Sequence, residues 1–306
     1  MRSRGELTTA ASIADSHAHA IGEAMEYLAV HAGYTRVHNP RTGHRDLVRL
    51  PAIVAPAFQH ETSRAGDPHL NTHVLVPNRQ VRADGRLVTL DSVSLYHEAR
   101  AAGIIYQVTL RRELTRSIGV EWSHVDPRTG MAEVAGAHRE DLAVWSTRGK
   151  QLREWAAERW VAGSVPSAKQ LATAQKATRT GESEGLTFAQ LRALWATDAR
   201  LFRVDSAAHL GARAARLRLR IDYAAVATQA IADVAAASFT RADMIEAIGA
   251  RMPIDAADGP PPRQVLESLV DALTRPIGSE RAAHQREGST RYRLVHSSPL
   301  RLALLS

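Results

Sequence analysis

The sequence predicts an α+β fold: an antiparallel sheet of about four or five strands with helices on one face, then a mostly helical C-terminal half. Two observations carry this expectation. Hairpin turn chemistry recurs before Gly136, at Asn39-Pro40-Arg41-Thr42-Gly43, Ala83-Asp84-Gly85 and Asp126-Pro127-Arg128-Thr129-Gly130, and does not recur after it. Two long stretches, residues 8–32 and 93–117, repeat apolar residues at helical spacing instead.

In the first stretch Ile13, Ala20, Ile21, Ala24 and Leu28 fall near one helical face, and Gly33 is a stop signal. Tyr34-Thr35-Arg36-Val37-His38 reads as a strand, with residues 44–50 as its hairpin partner. Two short apolar runs, residues 53–58 and 74–76, then read as buried strands joined through the turn Arg64-Ala65-Gly66-Asp67-Pro68. Side chains alternate along a strand, so His69, Asn71 and His73 share one face. An antiparallel neighbour brings His60 to the same patch, where imidazoles and a carboxamide suit a divalent metal. Arg86-Leu87-Val88-Thr89-Leu90 is the second arm of the next hairpin.

Asp91 or Ser92 can cap the second long helix. Its expected apolar face is Leu95, Ala99, Ala102, Tyr106, Leu110 and Leu114. Arg100, Arg111, Arg112 and Arg116 form the other face, which suits either phosphate contact or plain solvation. From Arg139 onward the pattern turns helical, over residues 139–160, after Pro166-Ser167, after Thr187, and at residues 241–250 and 263–273. Lys169, Lys176 and Arg179 lie in a polar, basic stretch, and residues 213–220 are a dense arginine run.

Composition bounds the partners. The 306 residues are 44% hydrophobic, enough for a sizeable core, but only 5% aromatic, so Ala, Leu and Val do most of the filling. A net charge of +7 favours polyanions, nucleic acid before anionic membrane. Cysteine is absent, which excludes disulfides, thiolate metal sites and cysteine nucleophiles. There is no secretory h-region, and no apolar run approaches the roughly 20 residues of a membrane span, so the chain reads as soluble and cytoplasmic.

The run His60-Glu61-Thr62-Ser63-Arg64, Asp67-Pro68, Leu70-Asn71-Thr72-His73 resembles the histidine motif of TrwC/TraI-type (MobF) conjugative relaxases, of the HUH endonuclease group. Val76-Pro77-Asn78-Arg79 and Leu95-Tyr96-His97-Glu98-Ala99-Arg100 also look like that family. The resemblance implies an HUH relaxase-like core. His60 matches the family's first histidine and His73 its last, while Asn71 stands where the family has its middle one. His60, Asn71 and His73 are therefore the implied ligands of a divalent metal, Mn, Mg or Zn. An amide oxygen in place of an imidazole weakens the site and shifts it toward harder ions. His69, on the same strand face, is the alternative ligand.

The resemblance further implies single-stranded DNA at a plasmid transfer origin as partner, with other relaxosome proteins. The expected DNA contacts are Arg111, Arg112, Lys169, Lys176 and Arg179. In the family a tyrosine near the N-terminus attacks one phosphodiester. His60 comes too early to be preceded by that segment, and Ala283-His284-Gln285-Arg286-Glu287-Gly288 looks like the junction to a helicase domain. The expectation is a relaxase cut at both ends, with residues 1–160 as core, 161–288 as DNA-closing helical region and 289–306 as a divergent tail. Tyr27, Tyr34, Tyr96, Tyr106, Tyr223 and Tyr292 are all out of the nucleophile position, so no catalytic residue is assigned. The expected function is a relaxase fragment that binds DNA and metal and is inactive alone. The alternatives are a non-catalytic single-stranded DNA-binding remnant and, last, a metal-dependent hydrolase using activated water.

Overall fold

Two helices of 29 and 27 residues, α1 (Arg4–Ala32) and α2 (Ser92–Ile118), are the longest elements among the described residues and pack on each other. The computed structural model describes residues 4–127, 129–137, 143–160, 167–178, 187–197, 222–234, 239–253, 259–276 and 292–294. The strands are β1 (Tyr34–His38), β2 (Arg45–Arg49), β3 (Ala57–Thr62), β4 (Pro68–Val74), β5 (Arg79–Val81), β6 (Leu87–Thr89), β7 (Trp122–Val125) and β8 (Ala132–Val134). Later helices are α3 (Thr147–Ala157), α4 (Ala168–Ala177), α5 (Phe188–Thr197), α6 (Tyr223–Asp233), α7 (Arg241–Gly249) and α8 (Pro262–Leu273). A last antiparallel pair is β9 (Thr274–Pro276) with β10 (Tyr292–Leu294).

The class is α+β with small antiparallel sheets, as the turn signals require. The single sheet of four or five strands is corrected: among the described residues the strands form separate two-stranded ribbons. One bridge, Thr35 to Leu90, ties β1 to the end of β6. The physical reason lies partly in residues 51–56. Pro51 and Pro56 lack an amide donor, so the apolar run between them does not enter a ladder. The side chain of Gln80, only 2% exposed, serves that backbone instead. Its Oε1 accepts from Val54 N at 2.9 Å, and its Nε2 donates to Val54 O and Pro77 O, each at 3.0 Å. The strand then starts later, at Ala57, in more polar sequence.

The chain forms two compact units: Met1–Val54, Val76–Ala135 and Ser206–Ser306 make the first, Ala55–Leu75 and Gly136–Asp205 the second. In the first unit, α1, α2, α7 and α8 bury Tyr27, Ile105, Met244, Ile245, Leu266 and Leu269 together. α2 starts where the Asp91 side chain accepts from Ser94 N, and ends at Gly119, whose φ of 73° is the left-handed cap that a Cβ disfavours. Its buried face differs from the expected one: Ala101, Ile104, Ile105, Val108, Arg111 and Arg112 are inside, whereas Ala99 is exposed. Helical periodicity defines a stripe, but the helices packed on both flanks of α2 widen and rotate it.

Gly249 is fixed by close approach. A Cβ there would lie 2.3 Å from Ile104 Cγ2, so α7 meets α2 over a bare backbone. Gly249→Ala is expected to cost about 1–3 kcal/mol through overpacking, despite its better helix propensity. A denaturant midpoint unchanged or raised in this variant would show that the two helices can separate without penalty.

In the second unit the β3–β4 ribbon is anchored by its own turn. Ser63 N donates to Asp67 O at 2.9 Å, and Ser63 Oγ accepts from Ala65 N and Asp67 N, each at 3.2 Å. The Asp67 carboxylate is 5% exposed and caps α3 from outside: Oδ2 accepts from Thr147 N at 3.0 Å and Oδ1 from Thr147 Oγ1 at 2.9 Å. Ser146, in the cap position, makes no side-chain cap bond of its own. Trp195 of α5 donates its indole N–H to Gly66 O at 2.9 Å. Asp67→Ala is expected to destabilise this unit by about 1–2 kcal/mol, the scale of a lost cap. Hydrogen exchange should then quicken at the α3 N-terminus; unchanged protection there would contradict the capping role.

Candidate metal centre

β3 and β4 pair antiparallel with His60 directly opposite Asn71 and Phe58 opposite His73, and the register shifts between His60 and Thr62. Residues opposite each other point to one face, and Asn71 and His73 are two apart, so His60, Asn71 and His73 share a face. The imidazoles of His60 and His73 meet edge to face, with centroids 5.1 Å apart and planes at 77°. With metal–nitrogen bonds of about 2.1 Å at a tetrahedral angle, two imidazole centroids around one ion lie about 5 Å apart, a separation that an ordinary edge-to-face ring contact also gives. Both histidines are exposed, so solvent and an anionic ligand reach them.

Asn71 Nδ2 donates to the carbonyl of His69 at 3.2 Å. That bond engages the amide nitrogen on the backbone and leaves Oδ1 as the atom available to a cation. His69 is thereby given a backbone role, orienting Asn71 through its carbonyl. Among the described residues no three His, Cys, Asp or Glu side chains gather as a metal group. What the ribbon offers is two imidazoles and a carboxamide, a neutral donor set that fits a divalent ion only loosely.

The expected DNA contacts divide three ways. Lys169 and Lys176 are exposed on α4, seven residues apart, hence on one helical face and about 10 Å apart along the axis. The helix opens with a capping box between Ser167 and Gln170, and Arg148 donates to the carbonyls of Thr178 and Gln175 at 2.6 and 2.7 Å at its other end. Arg179, the arginine run at 213–220 and the stretch at 283–288 lie outside the described residues.

Arg111 and Arg112 are corrected: they are interior residues, 1% and 5% exposed. Arg111 Nη1 donates to Gly130 O, while its Nε and Nη2 have no hydrogen-bond partner among the described residues. Burial pulls this guanidinium down to about 10. Arg112 donates to Pro260 O at 2.7 Å and Gly259 O at 2.9 Å, which fastens the approach to α8 onto α2. Both arginines hold backbone carbonyls inside the first unit and do not present a phosphate-facing stripe. Their positions in the sequence carry no sign of this, because burial here depends on a loop about 150 residues away.

The tyrosines sit in the first unit, and residues 55–75 and 136–205 contain none. Tyr27 is fully buried and donates to Glu98 Oε2 at 2.5 Å. Burial and the Glu98 carboxylate push its phenol far above the ordinary range. Tyr106 shares a 2.8 Å hydrogen bond with His17 Nδ1, and burial raises its phenol while lowering the imidazole. Tyr34 accepts from Arg49 Nη2 at 2.7 Å. Tyr96 of α2 is open to solvent, at 82% exposure.

Comparison with known proteins follows this geometry. The TrwC relaxase family model matches residues 4–202. The multifunctional conjugation protein TraI of Escherichia coli is 31% identical over 148 residues, which is 46% of this chain and 8% of TraI. The chain thus spans less than a tenth of that relative. The conjugative relaxase TrwC in complex with OriT DNA, metal-free, superposes with a TM-score of 0.56 at 26% identity, covering 67% of this chain and 68% of that one. The metal-bound complex gives 0.55 at 26% identity, covering 66% and 64%. No described helix is long and apolar enough to cross a membrane. With the family model running through the histidine ribbon, α2 and the helices beyond, this chain belongs to the TrwC relaxase family.

Proposed function

We propose that the chain is the DNA- and metal-binding part of a conjugative relaxase, acting on single-stranded DNA at a plasmid transfer origin. The observation that carries this reading is the pairing of His60 with His73 on the face that also holds Asn71. Solved TrwC structures contain OriT DNA, and two of them are metal-bound, one with copper, which supports both ligands for this chain. His60, Asn71 and His73 would hold the divalent ion. When bound, it would polarise a non-bridging phosphate oxygen and offset the charge that builds up as the phosphodiester is attacked.

The chain's own residues do the rest. The ribbon presents His60 and His73 on an exposed face. Asp67 and Trp195 keep the turn behind that face attached to α3 and α5. Lys169 and Lys176 offer two cations on one exposed helical face for backbone phosphates. No tyrosine of this chain is assigned as the nucleophile. No tyrosine belongs to the unit carrying the ribbon, and the hydroxyls of Tyr27, Tyr34 and Tyr106 are engaged within the other unit. The reading is therefore that the chain binds DNA and metal and does not cleave unaided.

A nicking assay on transfer-origin single-stranded DNA with Mn(II), with and without a tyrosine-bearing family segment supplied in trans, tests this. Cleavage is expected only with the segment. Cleavage by the unaided chain would show that one of its own tyrosines is the nucleophile, and absence of DNA binding at low salt would remove the reading altogether.

A further inference from the structure

The first unit carries a second basic feature that the histidine ribbon does not explain. The β1–β2 and β5–β6 ribbons meet through the Thr35–Leu90 bridge, the Thr35 hydroxyl donating to Thr89 O at 2.7 Å and Asp91 N donating to Tyr34 O at 2.7 Å. These contacts are buried: Thr35, Leu90 and Asp91 are 2%, 5% and 7% exposed. Above this rigid floor lies an open cleft of about 540 Å³. Its walls include Arg36, His38 and Arg45 from the first ribbon and Arg79 from the second.

Charge in the cleft does not balance. Arg36 Nε is paired to Asp91 Oδ1 at 3.0 Å, and the other oxygen of Asp91 accepts from Ser94 N and Oγ at the start of α2. Asp91, the only carboxylate on the wall among the described residues, is thus engaged. Arg45 and Arg79 are exposed and have no ion pair among the described residues. His38 is held opposite Arg45 by the strand register, so its imidazole adds a donor at the same rim. Two uncompensated guanidiniums across a concave surface focus a positive potential, and their forked donors match phosphate oxygens better than an ammonium would. Both ribbons are ladders on a buried floor, so the strand positions that carry these arginines are fixed.

We propose that this cleft holds the phosphodiester backbone of DNA, with Arg45 and Arg79 as its phosphate ligands and His38 as a further donor. This inference rests on the reading of the chain as a DNA-binding relaxase, but uses none of the residues assigned to the metal or to α4. It replaces the arginines of α2 as the phosphate contacts of the first unit. The contact fixes where DNA lies and carries no base sequence by itself.

The test is fluorescence anisotropy of the full chain and of an Arg45→Ala/Arg79→Ala variant, over a salt series, with an unstructured oligonucleotide and a hairpin-forming one. Loss of two phosphate contacts should lower the slope of log affinity against log salt by about 1.4 for a single strand and about 1.8 for a duplex. Arg45→Lys/Arg79→Lys should keep most of the slope and lose part of the affinity. Both arginines are exposed and without ion pairs, so the thermal midpoint and the Mn(II) titration should not move, which separates a lost contact from a lost fold. If the parent binds DNA and the double alanine variant keeps its salt slope, the cleft is not a DNA site, while the functional reading stands. If a mononucleotide or inorganic phosphate competes as well per phosphate as the oligonucleotide, the cleft is a small-anion site and the proposal falls. If the parent binds neither oligonucleotide at low salt, both the proposal and the reading it rests on are overturned.

Discussion

Asn71→His should bind Mn(II) at least about tenfold more tightly than the parent chain, the scale on which changes around a metal site alter affinity. His73→Ala should abolish binding. The first result follows from exchanging a neutral amide oxygen for an imidazole nitrogen at a position already opposite His60. The gain should be larger for Zn(II) than for Mn(II), because the nitrogen donor favours the later metal. The second follows from the ring pair: with His73 gone, His60 loses the imidazole that it meets edge to face. Calorimetric titration reads both. Should Asn71→His bind no tighter, the Asn71 amide is not a ligand, and His69→Ala becomes the deciding variant. Neither substitution should produce cleavage, since each changes a metal ligand and not the nucleophile.

The geometry of this ribbon shows how far residue patterns reach. Alternation along a strand, plus one antiparallel neighbour, is enough to put His60, Asn71 and His73 on a common face. It says nothing of the amide's orientation, which depends on a backbone carbonyl two residues away. Nor does it find Asp67. In sequence Asp67-Pro68 reads as turn chemistry, but the carboxylate is a cap for a helix that begins at Thr147, and no local pattern records a partner eighty residues on. The α+β class is likewise plain from the turns before Gly136. The failure at α2 has the same origin as the silence about Asp67. Arg111 and Arg112 satisfy every local rule for an exposed helical face, and only the Gly130 and Pro260 carbonyls make their interior positions tolerable. Local rules give periodicity and turns; which face is covered is decided by segments far away in the chain.

The largest expected effect on stability comes from another such long-range group, Arg263 at the first turn of α8. Its Nε contacts Glu23 Oε2 at 2.9 Å, its Nη2 Glu26 Oε2 at 2.8 Å, and its Nη1 Glu267 Oε2 at 3.2 Å. Glu267 Oε1 also bonds His31 Nε2 at 2.8 Å, so one cluster joins the C-terminal half of α1 to α8. Glu23 and Arg263 are 8% exposed each, which makes their charges costly without one another. Arg263→Ala is expected to destabilise the first unit by about 3–5 kcal/mol, the cost of leaving a buried charge uncompensated. An apolar replacement of both partners, Arg263→Met with Glu23→Leu, should recover much of that loss, because the penalty lies in the orphaned charge. The same cluster sets an acid limit. Burial alone would raise the Glu267 carboxyl, but the His31 hydrogen bond and the charges of His31, Arg263 and Arg241 outweigh it and hold it below its ordinary range. A carboxylate depressed on folding contributes stability above its unfolded value of about 4.3 and loses it as pH falls through the folded one. Glu267→Gln should therefore be less stable than the parent at neutral pH and converge with it as pH falls through the folded value of Glu267. Urea midpoints measured across that window decide the matter: parallel curves for the two proteins would mean that Glu267 titrates alike folded and unfolded, and that the cluster is held by packing alone.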